Sequence, residues 1–218
     1  MATRDKILKK LRSKSFPASD GILPISDSQY FKDYPENEKN ALIKLFAERF
    51  EKLRGEFFLV HSLKEAGIKL LELLASVEKG KALTDGSQLF RKICTKTPEL
   101  IEAFVTEAAL SSPSPEMSRY VAGVTSADFL IARTGSVVLR CTDTGGRRAS
   151  VLPPLHIVLA TADQFVPSLD SVFQNEQFNA GNWSYGTIIT GPSRTADIEK
   201  ILVLGAHGPK RMAVVLVD

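Results

Sequence analysis

An α/β fold, with three layers α/β/α around a mixed and mostly parallel sheet, follows from two textures in this 218-residue chain. The first half is dominated by apolar residues at helical spacing, interrupted by short apolar runs. The second half holds runs rich in Val, Ile and Leu, separated by glycine-bearing turns and by helical stretches. Neither half can bury its apolar faces alone. Helices need a sheet to cover and strands need helices above them, so one shared core is expected.

Ile7, Leu8 and Leu11 lie at helical spacing among Lys6, Lys9, Lys10 and Arg12, which predicts a short basic amphipathic helix. Residues 13–35 contain Pro17, Gly21, Pro24 and Pro35 and read as a wrapping loop. Residues 1–35 are therefore an arm and loop, and residues 36–218 a single domain. Asp33 and Glu36 have capping-box spacing with Pro35 in the first turn, ahead of the stripe Leu42, Leu45, Phe46, Phe50, Leu53. Phe57 to Val60 reads as a strand, and Ser62 with Glu65 caps a helix carrying Leu63, Ala66, Leu70 and Leu74. Lys81 to Leu83 reads as a short strand, and Leu89, Phe90 and Ile93 as a helical turn. Thr97-Pro98 opens a helix expected to run through Phe104.

Ser111 to Pro115 is a loop, after which six stretches read as strands: Tyr120 to Val124, Phe129 to Ala132, Val137 to Leu139, His156 to Leu159, Thr187 to Ile189 and Ala213 to Val217. Thr134-Gly135 predicts a tight hairpin. Helical stretches over Pro167 to Phe173 and Ser193 to Ile201 join the later strands by crossovers, and strands joined in that way run parallel.

With 44% hydrophobic and 24% charged residues the chain is globular in composition, not disordered or membrane-spanning. A formal charge of +3 supplies no electrostatic case for a nucleic-acid or membrane partner. Small-molecule or protein partners are expected. Cys94 and Cys141 stand far apart and form no C-x-x-C pattern, so no disulfide framework, zinc site or iron–sulfur cluster is expected in this chain. The charged start and the lack of any run of about 18 apolar residues predict a cytoplasmic protein.

Three segments carry candidate chemistry. Thr187 to Glu199 reads as strand, Gly191-Pro192 turn and helix, whose first amides at Ser193, Arg194 and Thr195 would suit a phosphate or carboxylate. Arg194 would add a bidentate clamp. The same residues equally fit a self-capped helix with Arg194 paired to Asp197 or Glu199. Neither a P-loop nor a Rossmann fingerprint is present. In Gly205-Ala206-His207-Gly208-Pro209, the glycines let backbone approach a ligand, and His207 is the candidate acid, base or hydrogen-bond donor, against a plain structural role. Arg147 and Arg148, after Gly145-Gly146, offer paired guanidinium groups to an anion or to solvent. His156, inside an apolar strand, reads as a satisfied core residue.

Gly123-Val124-Thr125, Ile131 to Ser136, Gly146-Arg147-Arg148, Leu152-Pro153, His156-Ile157, Thr190 to Glu199 and Gly205 to Pro209 together resemble the LutC or LUD-domain family of lactate-utilisation proteins. Order and spacing agree across about the last hundred residues. The resemblance implies a fold similar to the NagB/RpiA/CoA-transferase-like group. It also implies a role beside LutA-like and LutB-like iron–sulfur partners in oxidising L-lactate to pyruvate, with the clusters held by the partners. It adds Thr134, Gly135 and Ser136 to the ligand-binding candidates. Where the family usually reads Ala-Glu-Thr-Gly-Thr, this chain has Ala132-Arg133-Thr134-Gly135-Ser136. A carboxylate-based mechanism cannot be assigned to Arg133, and the change favours an anionic ligand.

Two functions follow. One is a subunit of a lactate-utilisation complex. The other is a stand-alone enzyme or sensor for a phosphorylated, CoA-linked, folate-like or carboxylate ligand. The sequence leaves open which applies, whether the chain is catalytic alone, and whether it forms homo-oligomers.

Overall fold

The computed structural model describes residues 3–13, 38–106, 120–141, 148–179, 183, 185–195, 203–204 and 208–218. These fall in two units, Met1–Tyr34 and Pro35–Asp218. In the first, helix α1 (Thr3–Arg12) forms over the basic amphipathic stretch. The proline-bearing stretch and the Asp33–Glu36 capping box lie outside the described residues.

The second unit begins with α2 (Lys39–Lys52), which buries Leu42, Phe46 and Phe50 as their spacing requires. Strand β1 (Glu56–Val60) leads into α3 (Leu63–Ala75). The Ser62 hydroxyl accepts a hydrogen bond from the Glu65 amide at 3.1 Å, while the Glu65 carboxylate accepts from the His61 amide at 2.9 Å. There follow β2 (Ala82–Thr84), α4 (Gln88–Lys96), α5 (Leu100–Ala103) and β3 (Phe104–Thr106). The helix expected through Phe104 therefore stops after one turn. Phe104, Val105 and Thr106 instead pair in parallel with Ala82, Leu83 and Thr84, where a β-branched pair fits a pleated surface better than a helix.

The remaining elements are β4 (Ala122–Ser126), β5 (Phe129–Ile131), β6 (Ser136–Cys141), α6 (Arg148–Val151), β7 (Leu155–Thr161), β8 (Phe165–Val166), α7 (Leu169–Gln174), α8 (Glu176–Asn179), β9 (Tyr185–Ile189), β10 (Arg194–Thr195), β11 (Val203–Leu204) and β12 (Arg211–Val217). Six strands form one sheet in the order β1-β12-β7-β4-β2-β3. All its pairings are parallel. A second sheet has the order β8-β5-β6-β9, in which β6 runs antiparallel to both β5 and β9.

Two expectations change here. The strand over Thr187 to Ile189 is not part of the parallel sheet, because Val137 pairs with Ile189 and Val138 with Ile188 in the antiparallel sense. The helix expected from Ser193 does not open there either. Arg194 and Thr195 form β10 and pair with Leu204 and Val203, a backbone partner that no local pattern announces. Residues 196–202 lie outside the described residues.

Alternation along β7 divides the core. Leu155, Ile157 and Leu159 face α3, α4 and α5, whose Leu70, Phe90, Ile93 and Leu100 are buried there. Val158 and Ala160 face the opposite way, onto Phe46 and Phe50 of α2 and onto Leu130, Val137 and Leu139 of the second sheet. Helices thus cover both faces of the parallel sheet, and the second, mixed sheet shares one of those faces with α2.

Candidate functional site

Sequence-predicted residues gather at the amino ends of the parallel strands. The last turn of α2 lies there, because the chain passes from Leu53 through Arg54 (φ 66°) and Gly55 straight into β1. The β5–β6 hairpin abuts that turn. Gly135 has φ 64°, and a methyl group added to it would lie 2.7 Å from the Phe50 amide nitrogen and 3.0 Å from Arg49 Cβ. Gly191, with φ 83°, approaches Leu53 in the same way, and its added methyl would lie 3.9 Å from an Arg194 terminal nitrogen. Glycine is required at both turns for conformation and for space.

Between the turns runs a chain of hydroxyls. Thr134 Oγ1 and Ser136 Oγ are 2.7 Å apart, and Ser136 Oγ and Thr190 Oγ1 are 2.9 Å apart. Ser136 is buried while Thr134 and Thr190 reach solvent. Arg49 packs against the Gly135 turn between Thr134 and Ser136, and its Nε is buried with no hydrogen-bond partner among the described residues, an unsatisfied donor that costs free energy unless something accepts from it. Next along the chain, the Ser193 amide donates to the Pro209 carbonyl at 2.9 Å. A methyl added at Gly208 would lie 3.2 Å from Ser193 Cβ.

The structure therefore brings Thr134, Gly135, Ser136, Gly191 and Arg194 together, with Ser193 and Gly208 adjoining one another. Arg133 sits in the hairpin turn with its amide donating to the Pro167 carbonyl. Arg148 opens α6, and Thr195 lies in β10. His207 and Arg147 fall outside the described residues. Because β10 replaces the expected helix, the amides of Ser193, Arg194 and Thr195 are not a helix N-terminus, and the phosphate cradle argued from it is absent. Sequence reasoning missed Arg49 and Thr190. Arg49 reads as one more charge on the polar face of an amphipathic helix, and no local signal marks it.

At the carboxyl ends, β2 and β4 define the point where the connections diverge, outward to β3 and inward to β7, a place where ligands bind in open α/β sheets. Asp85 bridges these strands. Its carboxylate accepts from the Ser87 amide at 2.9 Å and from the Ser126 amide at 2.7 Å. The Ser126 hydroxyl donates to Ser87 Oγ at 2.6 Å. Desolvation pushes the Asp85 pKa above the usual carboxylate value. The amide hydrogen bonds oppose that shift, and the nearby Asp128 charge adds to it. Asp128 is itself held by Arg140, whose Nε donates at 2.9 Å. One Asp85 oxygen closes its own turn and the other joins that turn to β4, so the group reads as structural. Thr84-Asp85-Gly86-Ser87 after an apolar run is a turn signal that marks it in sequence.

His156, the second residue of β7, is fully buried, with Nε2 2.9 Å from Thr125 Oγ1. Among the described residues its Nδ1 has no partner, so the ring is only half satisfied there. Among the described residues no group of three or more His, Cys, Asp or Glu is placed to share a metal ion. No helix among them is long and apolar enough to cross a membrane.

A parallel sheet covered by helices on both faces, joined by a smaller antiparallel-bearing sheet and carrying two glycine turns with hydroxyls and arginines at one end, defines an α/β protein. Residues 43–217 match the model of the LUD domain, and the chain belongs to that family. It is 36% identical over 100 residues to lactate utilization protein C of Halalkalibacterium halodurans, a stretch covering 44% of each chain. It is 29% identical over 169 residues to the protein of that name in Bacillus pumilus, covering 71% of this chain and 70% of the relative. The crystal structure of a DUF162 family protein from Deinococcus radiodurans superposes with a TM-score of 0.59 at 18% identity, covering 84% of this chain and 99% of the other. That likeness concerns the fold.

Proposed function

We propose that this chain is a subunit of a lactate-utilisation system that works beside LutA-like and LutB-like iron–sulfur partners and holds a small carboxylate in the cluster of hydroxyls and arginines. The observation that carries the ligand half of this reading is the Thr134–Ser136–Thr190 hydroxyl chain at the Gly135 turn, which packs against Arg49, a residue whose buried Nε has no partner among the described residues. A carboxylate accepts from guanidinium and hydroxyl groups together, and such charge-assisted bonds are the strong ones. Arg194 is the second guanidinium within reach of the Gly191 turn.

The names of the relatives support the metabolic half. Oxidising a 2-hydroxy acid to a 2-oxo acid releases two electrons and two protons. Two cysteines fall short of the four thiolates that commonly hold an iron–sulfur cluster, which supports placing the electron acceptor on partners.

Calorimetric titration with L-lactate and pyruvate tests the ligand. Saturable binding is expected, weakened about tenfold or more in Ser136→Ala and Arg194→Ala. Binding unaltered in both variants, or no binding to the unmodified protein, removes this reading of the cluster. Affinity capture of the tagged chain from its native cells tests the partners. Recovery of the chain without cysteine-rich proteins, together with normal growth of a deletion strain on lactate, counts against the subunit role.

A further inference from the structure

Away from the hydroxyl–arginine cluster, a cavity opens at the carboxyl ends of β2 and β3. It has a volume of about 390 Å³ and lies between those strands and helices α4 and α5. That volume falls within the roughly 300–1,000 Å³ typical of small-molecule sites. One wall is aromatic, since the rings of Phe90 and Phe104 meet edge to face with centroids 4.9 Å apart. Cys94, buried on α4, continues the wall. Ile101 lines the mouth while leaving 62% of its surface to solvent, a large apolar side chain in position to cover a bound molecule.

Arg91 and Thr84 supply donors to the cavity, while the Thr95 hydroxyl is spent on the Lys92 carbonyl at 2.7 Å. Arg91 is fixed at its edge by the Nε hydrogen bond to the Gly86 carbonyl at 2.8 Å. Its terminal nitrogens take no further bond among the described residues, and one lies 3.8 Å from where a Gly86 methyl would stand. Thr84 accepts from the Gly86 amide at 3.0 Å and so keeps its hydroxyl hydrogen to donate. Among the described residues no carboxylate lines the cavity, and the neighbouring Asp85 is committed to the Ser87 and Ser126 amides.

An apolar body and a single anionic head satisfy both halves of this lining. We propose that the cavity is a binding site for an organic monocarboxylate with an aromatic or medium-chain acyl body, its carboxylate on Arg91 and its body against Phe90 and Phe104. A three-carbon hydroxy acid would leave most of the aromatic wall in contact with water. The site is therefore separate from the one assigned to a small carboxylate above, and does not depend on it.

Titration calorimetry with octanoate and 4-phenylbutyrate, against their uncharged amides and against L-lactate, tests the assignment. Saturable one-to-one binding of the two acids is expected, with the amides about tenfold weaker, as befits loss of one charge-assisted bond. Arg91→Met is expected to bring acid and amide to equal affinity. Ile101→Glu places a negative charge at the mouth, on a side chain too exposed to matter for folding, and is expected to weaken the acids by about tenfold or more. Arg194→Ala, in the other cluster, is expected to leave octanoate binding unchanged. The proposal is overturned if neither acid binds at millimolar concentration. It is equally overturned if Arg91→Met and Ile101→Glu, both shown folded by circular dichroism, bind octanoate as the parent does, or if Arg194→Ala alone removes binding.

Discussion

The imidazole of His156 is fully enclosed, and burial holds its pKa down to about 3 against an ordinary 6.5. Between those two values the unfolded chain binds a proton that the native ring refuses. Stability therefore falls as pH drops below about 6.5, by up to roughly 1.4 kcal/mol per pH unit, and the loss levels off below the folded pKa, where both states are protonated. His156→Gln keeps a polar atom for Thr125 and removes the titration. Its denaturation midpoint is expected to change less than the parent's between pH about 6 and about 4. Parallel pH profiles for the two proteins would show that His156 is not the group responsible. In the sequence, an apolar strand context marks His156 as a core residue. That its Nδ1 lacks a partner depends on which backbone and side-chain atoms other elements bring to it. Arg49 is the same case on a helix, since its neighbours across the hairpin are distant in the chain.

Close approach of elements sets the next constraints. α6 lies on β4 so tightly that a methyl group at Gly123 would stand 1.8 Å from the Ala149 carbonyl oxygen. Gly123→Ala must push α6 off the strand, because the obstacle is backbone and cannot rotate away. A loss of at least about 1–3 kcal/mol in urea denaturation is expected, and parent-like stability would show that α6 is not seated as described. Amphipathic helices and β-branched runs are legible at this level, as α2, α3, β7 and β12 show. The element ends are less so. β3 follows α5 without a break because a parallel partner strand is available to Phe104–Thr106, and β10 exists because Val203 and Leu204 pair with it. Both partners lie outside the window in which periodicity is read.

Phe46 ties the larger assembly together. Its ring stacks on Phe50 of the same helix with centroids 5.4 Å apart, meets Phe57 of β1 at 5.9 Å, and meets Phe165 of the second sheet edge-on at 5.4 Å. One residue therefore joins α2, the parallel sheet and the antiparallel one. Phe46→Ala is expected to cost about 3–5 kcal/mol, lost in a single transition seen alike by near- and far-ultraviolet circular dichroism. A separate early loss of the near-ultraviolet signal would mean that the second sheet folds independently of the first.

From composition and periodicity alone came the α/β class, most helices and strands, the hairpin at Gly135, and the glycine turns whose positive φ few other residues tolerate. Local chemistry suffices for these, because capping, alternation and left-handed backbone act over a few neighbouring residues. Assembly in three dimensions was needed to divide the strands between two sheets, to turn Arg194–Thr195 from helix to strand, and to set Arg49 against the Gly135 turn. It also opened the cavity under Arg91. Each of these depends on contacts between residues far apart in the chain, and no short-range preference encodes them.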